Sequence, residues 1–351
     1  MSLLAVSAVE AAADAGRFDA VIDVRSPAEF AEDHLPGAVN WPVLDDEQRR
    51  VVGTLYKQTS PLQARKLGAA LVARNIADHL DRWMADKPRE WRPLVYCWRG
   101  GQRSGSLAWF LDQIGFRAAQ LQGGYKAFRA LVRTDLQALP QRLSYRVLCG
   151  RTGCGKTRLL HALAAQGAQT LDLEGLAGHR GSVLGALPGS PQPSQKRFDT
   201  LCWQALRAFD PARPVFVEGE SRKIGQLRVP EALIAQLREH GHCIRVELDD
   251  AARLQLLLHD YGHFAADAEG FCRLLGALVE VRGRDTVAAW QVLARNGRWA
   301  EVFAALMQQH YDPLYARSFG SSYRLLPQAT VLALADAESG SLQLAARSLL
   351  G

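Results

Sequence analysis

No two of the cysteines stand in a C-x-x-C pair. There are six, at positions 97, 149, 154, 202, 243 and 272, and none joins histidine at a zinc-finger spacing. A disulfide framework and a structural zinc site are therefore not expected, and a reducing compartment is. Also missing is any run of about 18 apolar residues, so no membrane-spanning helix is expected. The start, "MSLLAVSAVEAAADAGRFDA", has a short apolar stretch but no basic region ahead of it, and it carries Glu10 and Asp14 at helical spacing. The cytoplasm is the expected location. Nor is there a block of lysines and arginines of the kind that forms a nucleic-acid-binding tail, a repeat of fixed period, or a low-complexity tract. Any polyanion site must be assembled by the fold.

What is present is an ordinary globular composition, 48% hydrophobic and 22% charged, in 351 residues. That length exceeds what one core usually fills, and two domains are expected. A formal net charge of +6 favours an anionic partner, either nucleic acid or a phosphorylated substrate.

The first part alternates strand and helix. "AVIDVR" and "PLVYCW" are buried-strand patterns, "SPAEFAEDH" opens like a capped helix, and "SGSLAWFLDQIG" is amphipathic and ends at Gly115. "AAQLQGGYKAFRALVRTDL" adds a short strand, a glycine turn and a helix, and "QALPQRLSY" is the expected linker. The alternation restarts at "YRVLCGRTGCGKTRLLHALAAQG", with further strands expected in "AQTLDLE", "RPVFVEGE" and "HCIRVELD" and helices from about residue 251. The fold class is α/β, with parallel sheets covered by helices. The expected domains are residues 1–138 and 139–351, the second a P-loop NTPase-like parallel-sheet domain with a helical C-terminal region.

Two glycine-rich turns carry the chemistry. In "VYCWRGGQRSGS", Cys97 ends a strand, Gly100 and Gly101 allow a tight turn, Arg99 and Arg103 add positive charge, and Ser104 leads the next helix. Loop amides and the helix dipole would hold an anion and lower the thiol pKa. The ordinary fate of a strand cysteine is burial in a core, and Cys149, Cys202, Cys243 and Cys272, which lack such company, are read that way. Cys154 lies inside the second turn and is open between a role in that loop and a small residue tolerated there. Together with "DVRSPAEFAEDHLPGAVN" and "LQGGYKAF", the cysteine turn resembles a rhodanese domain over roughly residues 5 to 135. That resemblance implies a cysteine carrying sulfur or selenium, and it places Asp23 and Arg25 as a charged pair near the active loop. Cys97 to Arg103 spans seven residues, longer than the six of many rhodanese loops; C-x5-R is also the spacing of cysteine phosphatases.

The second turn, "GRTGCGKT", satisfies G-x4-G-K-[ST] between a strand and a helix. Gly150, Arg151, Thr152, Gly153, Cys154, Gly155, Lys156 and Thr157 are the expected diphosphate-binding residues, with Thr157 able to ligate Mg2+ where a metal is used. Glu218 and Glu220 in "PVFVEGES", and Asp172 beside Glu174 in "LDLEGLAGHRGS", are candidates for acid–base or Mg2+-linked work. Solvated loop carboxylates would give the same pattern. No NKxD-type guanine reader follows. His179, Arg180, Gln195, Lys196, Arg197, Arg222 and Lys223 are candidate contacts to an anionic substrate or to tRNA, with ordinary surface positions as the alternative. His259 and His263 do not make a zinc motif. His310, Tyr311, Asp312 and Tyr315 group around Pro313 as base-stacking aromatics or, more commonly, as buried tyrosines.

A cysteine-loop domain joined to a P-loop, with "HRGS", "QPSQKRF" and "VEGESRKIG", resembles the tRNA 2-selenouridine synthase family over nearly the full length. The resemblance implies a transferase that replaces the sulfur of wobble 2-thiouridine by selenium from selenophosphate. It also implies geranylation of that sulfur from geranyl diphosphate, as a preceding step or a side activity. On it, Cys97 is the catalytic residue, with Arg99, Gly100, Gly101, Arg103 and Ser104 around the selenophosphate. The implied partners are the anticodon arm of a thiolated tRNA and a supplier of selenophosphate. The residues also allow a P-loop kinase or NTPase with a sulfur-carrier or phosphatase-like module, or a non-catalytic anion-binding module.

Overall fold

The computed structural model describes residues 3–186, 189 and 191–351, and at positions 15 and 318–321 the backbone alone. The chain forms two compact units: residues 1–135 with 194–204, and residues 136–193 with 205–351. This differs from a boundary at 138/139 in two respects, the first being that the first stretch ends at residue 135. The other is that the start of the Gln195–Ala208 helix packs with the first unit, although its sequence lies well inside the second.

The first unit is built on a five-stranded parallel sheet, in the order β1 (Leu4–Val6), β5 (Ala119–Leu121), β4 (Pro93–Tyr96), β2 (Ala20–Asp23), β3 (Ala38–Asn40). Apolar strands buried on both faces suit a parallel sheet, and β4 is buried throughout. Two helices that strand–helix alternation does not announce, Asp46–Gln58 and Pro61–Trp83, stand between β3 and β4. Asp45 and Gln48 cap the first reciprocally, and Ser60 followed by Pro61 opens the second. The core joins Ile22, Val24 and Val95 of the sheet to Ile76 and Leu107 of the covering helices.

Asp23 and Arg25 are fully buried, 2.6 Å apart, and Arg25 also donates to the Asp33 carbonyl and lies 3.8 Å from the centre of the Tyr125 ring. Asp33, itself buried, accepts from the Tyr125 hydroxyl at 2.8 Å and from the Thr200 hydroxyl at 3.0 Å, which ties residues 194–204 to this unit. Arg129 adds bonds to Asp199 and to the Lys196 carbonyl.

The second unit has its own five-stranded parallel sheet, ordered β12 (Thr330–Ala333), β11 (His242–Glu247), β6 (Tyr145–Cys149), β8 (Val215–Glu218), β7 (Gln169–Leu171). A small hairpin, β9 (Lys223–Ile224) and β10 (Leu227–Arg228), follows β8. The region after residue 251 is helical as expected, but it also supplies β12, which extends the sheet. Phe271, Trp290 and Phe303 anchor a separate helical core there, and the Ser339–Leu350 helix packs Leu342 and Ala346 against Leu159 and Leu163. Among the described residues no helix is long and apolar enough to cross a membrane.

Candidate active sites

The Cys97 turn connects β4 to the Gln102–Ile114 helix, whose N-cap is Gly101. Gly100 has φ +64°, and a Cβ there would stand 2.5 Å from the Leu121 carbonyl oxygen, so a side chain is barred both by conformation and by space. Gly101 does not share that role, contrary to the sequence reading. Its φ is −95°, and nothing among the described residues lies within 4 Å of an added Cβ. Cys97 is 3% exposed, and its sulfur accepts from the Ser104 hydroxyl at 3.2 Å. Burial pushes the thiol up, but the Ser104 hydroxyl and amide, the Arg103 charge and the Arg99 amide outweigh it and hold the thiol below its ordinary value. Arg103 pairs with Glu29 at 3.2 Å, and Glu29 also holds Arg49 at 2.7 Å. Arg99 is exposed. The turn thus presents a thiolate-favouring sulfur, a helix N-terminus and two guanidinium groups, an arrangement suited to a nucleophile that meets an oxyanion.

The second turn connects β6 to the Lys156–Ala165 helix. Gly155 caps that helix in the left-handed region, φ +84°, a conformation that turns the loop over the helix start. Cys154 points inward and joins the core, which resolves its two readings in favour of a small residue tolerated there. Lys156 Nζ lies 2.9 Å from the Gly150 carbonyl and 3.3 Å from that of Arg151. Burial disfavours its charged form, but Cys154 and the carboxylates of Glu218, Glu174 and Glu220 overcome this and hold the ammonium protonated. Arg151 is exposed and pairs with Asp250 and Asp312. Behind it Arg253, a residue the sequence reading missed, is fully buried, donates twice to the Thr152 carbonyl and pairs with Asp312 at 2.6 Å. Its only signal in the sequence is one arginine on the apolar face of "AARLQLLL".

Opposite Lys156, oxygen atoms of Glu174, Glu218 and Glu220 lie within 4.8 Å of one another. Glu218 ends β8 and makes a hydrogen bond with Thr157, while its Oε1 has no partner among the described residues. Burial raises all three carboxyls above their ordinary range, and in Glu174 and Glu220 the neighbouring charges add to it. Asp172, expected in this group, is engaged elsewhere. It caps the Leu173–Ala177 helix through the Gly175 amide at 2.7 Å and pairs with His161 at 2.9 Å, and Glu174, one helical step on, takes its place.

The loop and the three carboxylates line a cavity of about 370 Å3. Leu256, Leu257, Leu314 and the rings of Tyr261, Tyr311 and Tyr315 line it too, with Leu257 beside Gly153 and Leu256 beside Gly155 of the loop. His310 also lines it; Arg282 donates to its Nδ1, and burial with that charge drops its pKa to about 4, keeping the ring neutral.

The remaining candidates are dispersed. Arg180 lines the cavity and lies over the Tyr261 ring, whereas its neighbour His179 is buried among glycines, with burial favouring its neutral form. Gln195, Lys196 and Arg197 are spent within the first unit, on Asp199, Glu32 and the His34 carbonyl respectively. Arg222 and Lys223 are exposed at the start of the hairpin, next to cavity residue Ser221.

Residues 5–131 match the rhodanese-like domain model, and residues 118–277 match the model of the tRNA 2-selenouridine synthase AAA domain. The tRNA 2-selenouridine synthase of Hydrogenovibrio crunogenus is 34% identical, over 84% of this chain and 88% of its own. The chain belongs to the tRNA 2-selenouridine synthase family. The synthase of Nitrosomonas europaea is 37% identical over 69% of this chain, a match spanning 63% of that relative's length. Among solved structures, a rhodanese-related protein from Thermoplasma volcanium is 17% identical over 36% of this chain and 92% of its own, with a TM-score of 0.25.

Proposed function

We propose that this member of the family is a transferase that exchanges the sulfur of wobble 2-thiouridine in tRNA for selenium, with geranylation of that sulfur as the first step. The observation that carries the reading is the lining of the second-unit cavity, which combines a phosphate loop with leucine side chains and tyrosine rings. Those two chemistries are the two ends of geranyl diphosphate. Loop amides and Lys156 hold the diphosphate and stabilise it as it leaves, while the apolar wall takes the isoprenoid chain.

Thiouridine sulfur then attacks the first carbon of the geranyl group as the carbon–oxygen bond breaks. Alkylation converts thiocarbonyl sulfur, a poor leaving group, into one that departs as geranyl thiolate: the selenium of selenophosphate attacks the ring carbon, the carbon–sulfur bond breaks, and water then cleaves the selenium–phosphorus bond and releases phosphate. Cys97 is the selenium-handling residue, with Arg99, Arg103 and the helix start binding the phosphate of selenophosphate. Glu174, Glu218, Glu220 and Thr157 fit a hard divalent cation, since they offer clustered oxygen atoms and one buried oxygen, Glu218 Oε1, lacks a partner among the described residues. Mg2+ bound there would supply further neutralisation of the diphosphate.

The test is mass spectrometry of nucleosides from thiolated tRNA incubated with the protein, first with geranyl diphosphate and then with selenophosphate added. A geranylated nucleoside followed by a selenated one is expected. An unchanged nucleoside, with tRNA binding verified, and brisk ATP or GTP turnover in its place would move the assignment to a nucleotide-dependent sulfur carrier.

A further inference from the structure

Beside Cys97, but on a different element, stands Gln120 of β5, paired in register with Val95 two residues before the cysteine. Its side-chain nitrogen makes three contacts: the Gly100 carbonyl at 2.9 Å, the Gly101 carbonyl at 3.1 Å and the Ser104 hydroxyl at 2.9 Å. The Ser104 oxygen in turn lies 3.2 Å from the Cys97 sulfur and 3.3 Å from the Gly101 carbonyl. A hydroxyl has one proton to give, and here two acceptors are in reach: 3.2 Å is an ordinary approach to sulfur, and 3.3 Å is a long one to a carbonyl oxygen. The geometry leans to the sulfur, and Gln120 adds to that lean.

We infer that Gln120 is a positioning residue for Cys97: it aims the single hydroxyl proton of Ser104 at the sulfur. It does so twice over. One N–H is directed to the Gly100 and Gly101 carbonyls, which weakens Gly101 as a competing acceptor. The other occupies a lone pair of the Ser104 oxygen, and a hydroxyl that accepts a hydrogen bond becomes a stronger donor. The chain Gln120 to Ser104 to Cys97 therefore favours the charged sulfur even though that sulfur is buried. The charged groups around the turn are Arg99 and Arg103, with Glu29 and Arg49 behind Arg103; none touches Gln120 in the contacts described above, so its contribution is separable from theirs.

The inference rests on the reading of Cys97 as the reacting thiol, and is independent of the group it carries. The experiment is the pH dependence of iodoacetamide alkylation of full-length protein, followed on the Cys97 peptide by mass spectrometry. Gln120→Met, which keeps the volume and removes the donor, is expected to raise the midpoint by about half to one pH unit, a roughly three- to tenfold slower reaction below it. Ser104→Ala is expected to raise it at least as far. The double variant is expected to match Ser104→Ala alone, because Gln120 acts only through that hydroxyl. A Gln120→Met midpoint equal to that of the parent, in protein with an unchanged melting temperature, would overturn the inference, and so would fully additive shifts in the double variant. Gln120→Leu makes the same comparison should the methionine variant fold poorly. A failure of tRNA modification would remove the proposed function while leaving these midpoints interpretable.

Discussion

The two turns use one backbone device for opposite ends. Each joins a central parallel strand to a helix through glycines, and each leaves a helix N-terminus of the kind that suits an anion. In the first, the side chain at the strand end is a sulfur surrounded by donors, and the nearest carboxylate, Glu29, is turned to Arg103 and Arg49. In the second, the group that stands out is at the helix start, the ammonium of Lys156, which lies among three carboxylates in a cavity that leucines and tyrosines also line. On the proposed function, the difference teaches that the glycine turn would set only where an anion sits. The groups facing it would decide whether that anion meets a nucleophile or departs as a leaving group.

The sharpest way to break that comparison is to remove each centre in turn. Cys97→Ala is expected to abolish selenation while leaving geranylation within about twofold of the parent. Lys156→Ala is expected to reduce geranylation by about a hundredfold or more, the scale of losing a preorganised charge at a leaving group, and to leave Cys97 alkylation unchanged. Nucleoside mass spectrometry reads the first two quantities and peptide mass spectrometry the third. Loss of both products in a folded Cys97→Ala variant would contradict the division of labour.

Next in size is Arg253. Its guanidinium is fully buried and holds the Thr152 carbonyl and Asp312 together, so Arg253→Leu removes both donors to that carbonyl and leaves Asp312 with Arg151 as a partner. A loss of about 1 to 2 kcal/mol in stability is expected from losing hydrogen bonds to a charged donor, measured as a lower denaturant midpoint for the second unit. A shift of only a few tenths of that would mean solvent replaces the pair.

The carboxylate cluster gives a smaller effect with a definite sign. Burial and mutual repulsion raise these groups, Glu220 to about 8, so the folded protein binds protons that the unfolded chain has released. Stability is therefore present at the acid end of the ordinary carboxylate range and falls as pH rises from there through about 8. Glu220→Gln is expected to flatten that decline, and added Mg2+ to reverse part of it in the parent and less in the variant. Melting temperatures of parent and variant between acid and neutral pH, each with and without Mg2+, read all of this. A parent that gains stability across that window without metal would show that the carboxyls are not raised.

Much of this was legible in the sequence. Local patterns suffice for β2, β4, β6 and β8, whose apolar runs are short and bounded, and for the phosphate loop, whose spacing is a backbone requirement. The pairing of Glu174 with Glu218 and Glu220 was not, because it depends on β7 lying next to β8, which no local pattern states. Arg253 and Gln120 were hidden for a related reason: each acts on a turn far away in sequence, and each looks from its own neighbours like an ordinary residue of a helix or strand. The helix beginning at Gln195 is the opposite case. Its basic start looks like an anion contact, and tertiary packing spends Lys196 on Glu32 and Arg197 on the His34 carbonyl, with the neutral Gln195 donating to Asp199.

The smallest predicted effect lies inside the first turn, between adjacent glycines that look equivalent as "GG". Gly100→Ala must place a Cβ in the left-handed region and against the Leu121 carbonyl, which is backbone and cannot swing away. It is expected to cost about 2 kcal/mol or more, and because the carbonyl of residue 100 is a Gln120 acceptor, to slow Cys97 alkylation as well. Gly101→Ala meets open space at a negative φ and is expected to fall within about 0.5 kcal/mol of the parent. It also leaves the carbonyls that Gln120 holds where they are. Denaturant midpoints and alkylation rates of the two variants make the test. Equal losses in both would mean that a side chain at 101 disturbs the folded turn as much as one at 100, against the open space and negative φ found there.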